Sequence, residues 1–510
     1  MRLTRFLSLV TLGKILAIAI AANGGVGTNG DQTLSRNTPE KLVAAIQLPA
    51  LWQHLSDFQT IADEHPDSSG HGNRDTGTAG YRASVDYVAN MMKQAGYKVT
   101  IQSYPYGMTE VMDVPQLTVS GRHYPVEQDW VVARLSGGGV VTAPIHRVTG
   151  SGTGSSAEEF ATFPSGAIAL LQRGGCAYDI QVANAEQAGA SAVILFDPSA
   201  EHAARGKRDR SIDGSQLQIP RLTRQAKILV VAVASTALAN DLLGRIDADE
   251  PPVATLEIHT QIKSGVDYNV IADSPFGDPD RVVIVDAHLD SIYGAGILDN
   301  ASGSSTILEI ALQMAKTPTR NQLRYVWFGG EEIGLLGSAY YTKNLTPAER
   351  GRIAFDIDVD VTATPNFDYL VADPKFAFNV KRFPANVVPE SEPGNQSFAN
   401  YFASRGVPSR SAPFGNDGTD SNSFSLIGIP NTGILTQQDC CKGPQEVAIW
   451  GGFLGNYEGK IPSFDGGCVD RPHHYCDNLY NNDPTVLELV SQATAYVTLQ
   501  LANHPFAADK

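Results

Sequence analysis

The sequence predicts an α/β fold: a mixed, largely parallel central sheet with helices on both faces, interrupted by a separate β-rich insert. Three observations lead there. Beyond residue 280, short apolar runs alternate with segments of helical period, the pattern of strands joined by crossover helices. Between residues 121 and 258 the character changes to short β-like runs parted by Gly-rich turns such as Ser136-Gly137-Gly138-Gly139, with a basic patch at Arg205 to Arg210. The chain has 510 residues, more than one core organises, and its 42% hydrophobic and 18% charged content is an ordinary globular balance.

The first residues carry Arg2 and Arg5, an apolar run that Lys14 splits, and the small residues Ala19, Ala21 and Ala22. This reads as a secretory signal over residues 1–22, because the run falls short of the roughly 20 residues that span a bilayer. The expected destination is extracellular, vacuolar or periplasmic. No later apolar run is long enough to span, so stable membrane insertion is not expected. A formal net charge of -16 argues against nucleic acid or anionic lipid as a partner. Oligomeric state is not encoded in any pattern found here.

Residues 51–99 have a helical pattern, with Tyr81, Val85, Val88, Met91 and Met92 near a 3.6-residue period and Gly96 as the stop. A strand is expected over 98–103, then the insert, assigned to 121–254. Further elements are a strand at 281–287, a helix at 302–315, strands at 323–328 and 353–361, a helix at 333–343 and a last helix at 485–501. The main domain is therefore discontinuous, 38–120 with 255–505. Of five cysteines, Cys468 and Cys476 are the favoured pair, and Cys176, Cys440 and Cys441 have no assigned partner. Asn344 and Asn395 stand in N-x-S/T sequences open to glycosylation in a eukaryote, whereas Asn300 is expected to be buried.

In sheets of this type, sites gather beyond the carboxyl ends of strands. Val282 to Val285 runs into Asp286-Ala287-His288-Leu289-Asp290, where His288 would bind a metal while Asp290 holds its other ring nitrogen or a neighbouring group. A loop histidine beside a solvated aspartate is the plainer alternative. Asp299 precedes a helix, which an N-cap also explains. Tyr325 to Phe328 leads through Gly329-Gly330 to Glu331 and Glu332, adjacent carboxylates that repel unless a cation intervenes or the positive end of a helix attracts both. Ile353 to Val361 alternates, placing Asp356, Asp358 and Asp360 on one face; exposure accounts for the first two, a nearby cation for the third. His473 and His474 lie in a loop that the Cys468–Cys476 pair would tighten, as metal ligands or as surface histidines.

At these residues the chain resembles the di-zinc aminopeptidase family that includes bacterial leucyl aminopeptidases and fungal vacuolar aminopeptidase Y, with glutamate carboxypeptidase II more distant. The family's H-L-D-S and D-N-x-S-G blocks fall on His288 and Asp299, and its G-x-E-E-x-G-L-x-G-S block on Gly329 to Ser338. The resemblance implies two Zn2+ per chain, held by His288, Asp299, Glu332, Asp360 and His473, with Glu331 as general base and Asp290 as a supporting catalytic residue. It implies peptide N-termini as substrate. Asp358 stands where Asn is usual, and Pro472 stands where a Tyr normally holds the oxyanion, with His474 the fallback ligand and Tyr475 a substitute phenol. Asp420, in a segment similar to S-D-x-x-P-F, is expected to shape the site. The insert is similar to the protease-associated domain through Arg173 to Cys176 and Asn184 to Ala190. A glutamate-directed carboxypeptidase, a one-zinc glutaminyl cyclase-like transferase and a receptor-like binding protein are the rivals on the same fold.

Overall fold

The computed structural model describes residues 38–506 apart from 68–69, 127–128, 134, 174–175, 177, 197–221, 223–224, 234, 248–249, 293, 378–379, 413–418, 437–441 and 453–476. The expected signal, Arg205 to Arg210, Cys440, Cys441, Cys468, Cys476 and the whole Pro472 to Tyr475 group, His473 included, lie outside the described residues. Among the described residues no helix is long and apolar enough to cross a membrane.

The helical run expected over 51–99 is two helices, Leu48–Glu64 and Ala79–Gln94. Pro66 is the reason: it pushes the preceding residue out of the helical region, and His65 sits at φ -128 and ψ 61. Thr78 restarts the second helix by accepting a hydrogen bond from the Tyr81 amide. Strand β1 (Lys98–Val111) follows and is longer than its apolar alternation suggested, because the segment Thr260–Asp273 pairs with it over its full length.

The insert holds β2 (Gln116–Val119), β3 (Arg122–Tyr124), β4 (Trp130–Val132), β5 (Gly139–Arg147), β6 (Ile168–Gln172), β7 (Ala192–Phe196), β8 (Leu229–Val233) and β9 (Val253–Ile258). They form a sheet of their own in the order β3-β2-β9-β5-β6-β7-β8-β4. Successive residues of β6 face opposite sides: Ile168 and Leu170 enter one core, Ala169 and Leu171 the other. Helices Tyr178–Gln187 and Thr236–Asp247 complete the unit.

The chain then returns through β10 (Thr260–Asp273), β11 (Asp278–His288), β12 (Asn321–Phe328), β13 (Ile353–Val359), β14 (Leu370–Ala372), β15 (Arg410–Ala412) and β16 (Asn431–Leu435). With β1 these make a second mixed sheet, ordered β1-β10-β12-β11-β13-β16-β14-β15. Its centre is parallel: β12, β11, β13 and β16 all run the same way, so their carboxyl ends share one edge. Crossovers between parallel strands need helices, and helix Ser302–Met314 supplies the first.

Strand alternation divides the core. Val283, Val285, Tyr325, Trp327, Phe355 and Ile357 face a large core with helices Leu48–Glu64, Ser302–Met314 and Pro484–Ala502. Ile284, Val326 and Phe328 face a smaller one with Tyr341 and Phe424. Asp356 and Asp358 lie on that second face and are not exposed, as the sequence reading had allowed; both are buried, at 0% and 1%. Neighbouring strands β11 and β16 flank them and place Asp286, also 0% exposed, opposite Asp358.

Candidate metal centre and active site

Three adjacent parallel strands deliver the candidate residues to one place. His288 is the last residue of β11, Asp360 follows β13, and Glu331 and Glu332 follow β12 after two glycines. Asp299 comes from the turn between β11 and helix Ser302–Met314. Asp299 is not a helix N-cap, because that position belongs to Ala301; Asp299 has φ -115 and ψ 97, and the Asp299–Asn300 peptide is cis. Asn300 is wholly buried and ties this turn to β13: its amide donates to Val359 O at 2.9 Å, and its Oδ1 accepts from the Val361 amide at 3.1 Å.

The Gly-rich block around the glutamates has a steric logic. Gly330 is at φ +66, and a Cβ on Gly337 would meet Gly329 O at 2.3 Å. This approach lets the Gly337 amide donate to Gly329 O at 2.9 Å, while Asn269 accepts from the Gly329 amide at 3.1 Å. Helix Leu336–Lys343 therefore begins three residues later than the expected residue 333. Residues 331–335 form a turn ahead of that helix, so neither carboxylate rests in its first turn.

His288 Nε2 lies 2.9 Å from Asp299 Oδ1 and 3.3 Å from Asp360 Oδ1. Ligand atoms of His288, Asp299 and Glu332 all fall within 4.8 Å of one another. One imidazole facing several buried carboxylates is a donor set that suits zinc. Burial alone would disfavour the imidazolium, yet Asp360, Asp290 and Asp299 push the His288 pKa well above its ordinary value. Glu332, at 1% exposure, is part of this cluster, and Glu331, at 5%, lies near Asp420.

Of the two roles expected for Asp290, its main chain meets the imidazole and its carboxylate holds neighbouring groups. His288 Nδ1 bonds to the main-chain oxygen of Asp290 at 3.0 Å, while the carboxylate is 3.7 Å away. That carboxylate accepts from Thr76 Oγ1 at 2.9 Å and from the amides of Glu331 and Glu332 at 3.2 and 3.4 Å. It therefore holds the glutamate turn against the histidine strand.

Behind the cage lies a second acidic layer. Burial, together with Asp356, Asp358 and Asp420, pushes the Asp286 carboxyl well up, and burial with Asp358 does the same to Asp356. Asp358 accepts from the Ser421 amide at 2.8 Å, which sets Asp420 against Glu331 and Asp358. Asp420 is 0% exposed.

Several contributors escaped the sequence reading. Asp477 accepts from the amides of Leu298 and Asp299 at 2.6 and 3.0 Å and so anchors the Asp299 turn. Arg74, Asp75 and Thr76 dock on the loop after His288 from the stretch between the first two long helices. The cue was a polar, Gly-rich run, Gly72-Asn73-Arg74-Asp75-Thr76-Gly77, inside an otherwise helical segment. Of the glycosylation sequences, Asn344 is exposed, whereas Asn395 is 6% exposed and accepts from Thr432 Oγ1 at 2.7 Å, leaving no room for a glycan. Cys176 is a half-buried free thiol.

Comparison with known proteins agrees with this architecture. Residues 269–498 match the model of peptidase family M28 and residues 140–237 that of the PA domain. An aminopeptidase of Pseudomonas aeruginosa is 31% identical over 481 residues, covering 91% of this chain and 83% of its relative. Among solved structures, an aminopeptidase from Aneurinibacillus sp. strain AM-1 superposes with TM-score 0.68 at 19% identity, over 93% of this chain and 98% of that one. A zinc aminopeptidase from Bacillus subtilis gives 0.57 at 21% identity, over 91% and 97%. With its catalytic sheet interrupted by a second sheet, this chain belongs to peptidase family M28 and carries a PA domain within it.

Proposed function

We propose that the protein is a secreted aminopeptidase that hydrolyses the N-terminal residue of peptides at a pair of zinc ions. The observation that carries this reading is the convergence of His288, Asp299 and Glu332 ligand atoms within 4.8 Å, with Asp360 Oδ1 3.3 Å from His288. His288, Asp299 and Asp360 would hold one zinc; Asp299, Glu332 and His473 the other. When bound, the ions would supply Lewis acidity toward the scissile carbonyl and lower the pKa of the water nucleophile. Glu331 takes a proton from the attacking water and returns it to the leaving amine. Asp290 fixes Glu331 through its amide, and Asp420 lies beside Glu331, with burial and the Glu331 charge holding its carboxyl well above the usual carboxylate range. That acidic surround favours a substrate bearing a free ammonium and disfavours one bearing a free carboxylate, which sets the carboxypeptidase reading second.

The catalytic domain in this reading comprises 38–115 and 259–505, because strands Gln116–Val119 and Val253–Ile258, which the expected boundaries of 121–254 leave out or divide, pair within the insert's sheet; the insert lids or recognises without catalysing, and residues 1–22 direct secretion. The test pairs zinc analysis with hydrolysis of leucine p-nitroanilide and its N-acetyl derivative. Two zinc ions per chain and cleavage of the free-amine substrate alone are expected. Fewer ions, or equal cleavage of the blocked substrate, would remove the proposal.

A further inference from the structure

Arg74 is one of the largest side chains in the molecule to be fully enclosed, at 0% exposure. Burying a guanidinium costs several kcal/mol unless its donors are satisfied. Here they are spent on main chain: Nε donates to Ala295 O at 2.7 Å, Nη1 to Leu289 O at 2.9 Å and Nη2 to Gly296 O at 2.7 Å. Phe58 lies beneath the guanidinium at 4.9 Å. No carboxylate among the described residues pairs with it directly; Asp477, Asp290 and Asp75 balance the charge from farther off, and the group stays cationic with its pKa lowered by burial to about 10.

The three acceptors are not arbitrary. Leu289 lies between His288 and Asp290, and Ala295 and Gly296 precede Asp299 by only a few residues. One planar fork thus ties the start of the loop after β11 to its end. The main chain of the same residue repeats the link, with the Arg74 amide donating to Gly294 O at 3.1 Å and Arg74 O accepting from the Ser291 amide at 3.2 Å. Asp75 accepts from Ser291 Oγ at 2.9 Å, and Asp477 holds the Leu298 and Asp299 amides just beyond. A lysine would carry the charge but cannot present three donors in a plane.

We propose that Arg74 is a positioning residue of the metal centre, closing the 289–296 loop so that His288 and Asp299 stand at ligand distance before any ion arrives. The inference rests on the zinc peptidase reading for its purpose, although the loop closure is testable without it.

The experiment uses the full chain and the variants Arg74→Lys and Arg74→Met, with Val88→Ala as a core control of comparable destabilisation. In chelator-treated protein, hydrogen exchange at the Ser291, Leu298 and Asp299 amides is read beside that of β12. Zinc affinity is then measured by competition with a chromogenic chelator. Both Arg74 variants are expected to speed loop exchange at least tenfold while β12 stays protected, and to weaken zinc binding about 10- to 100-fold, the usual effect of removing support behind metal ligands. Val88→Ala should leave zinc affinity unchanged. Zinc affinity within threefold of the parent in a folded Arg74 variant overturns the proposal, as does an equal loss in Val88→Ala. Should neither variant fold, exchange in the parent decides: unprotected loop amides in the metal-free protein would mean the loop is not preset. A parent with a protected loop but no aminopeptidase activity would remove the proposed function and leave this inference standing.

Discussion

Replacing Asp358 with Asn should stabilise the metal-free protein at neutral pH and leave it unchanged in acid. Asp358 is 1% exposed, and burial, with Asp360 beside it, raises its carboxyl from 3.8 to about 7. In the unfolded chain the same group titrates near its ordinary value. The folded state therefore binds the extra proton over the interval from about pH 4 to 7, and stability falls as pH rises through it. Each pH unit of that interval corresponds to about 1.4 kcal/mol, so the ionised carboxylate costs at most ~4 kcal/mol above pH 7. Relaxation and water entry around a buried charge reduce this, and about 2 kcal/mol is the expected gain. Asparagine removes the charge and keeps an oxygen for the Ser421 amide at 2.8 Å. The assay is urea unfolding of parent and variant in chelator at pH 4, 6 and 8. The gap should open from nothing to about 2 kcal/mol across that series, and should narrow again when zinc is added, because cations nearby make an ionised Asp358 less costly. A variant no more stable than the parent at pH 8, or a gap already present at pH 4, would refute the reasoning.

Other consequences follow from the same geometry. Glu331→Gln should lower kcat by about 100- to 10,000-fold with zinc content unchanged, read by steady-state kinetics beside metal analysis. Asp477→Ala leaves two buried amides without an acceptor and should cost about 2–4 kcal/mol of stability, measured by urea unfolding, together with weaker zinc binding. In the insert, burial pushes the Glu159 carboxyl up, but the Ser151 and Ser155 hydroxyls and the Gly154 and Ser156 amides outweigh it and bring the value to about 2. Glu159→Gln should therefore loosen the 151–156 loop, seen as faster amide exchange there, without changing kcat on a small substrate.

How much was readable beforehand varies with the range of the forces involved. The strand–helix alternation after residue 280 and the separate insert follow from local periodicity, and the described elements match that reading to within a few residues at most boundaries. Boundaries moved where a non-local partner intervened: β10 extends β1, and the close approach of Gly337 to Gly329 delays a helix start. The helical pattern over 51–99 resolves into two helices at Pro66, a local signal beside the periodicity.

The order of residues along the chain sufficed to nominate His288, Asp299, Glu331, Glu332 and Asp360, because each follows an apolar strand or precedes a helix, where a polar residue has no structural duty in the core. Only the tertiary structure could decide the rest. It buries Asp356 and Asp358, which alternation alone leaves equally suited to solvent, because β11 and β16 flank that strand. It gives the Asp290 carboxylate hydrogen bonds from the glutamate turn, and it brings Arg74 and Asp477 from more than a hundred residues away onto the loops that carry His288 and Asp299. The physical reason is that periodicity is a property of neighbours in sequence, whereas the satisfaction of a buried amide or carboxylate depends on whichever segment the fold brings beside it.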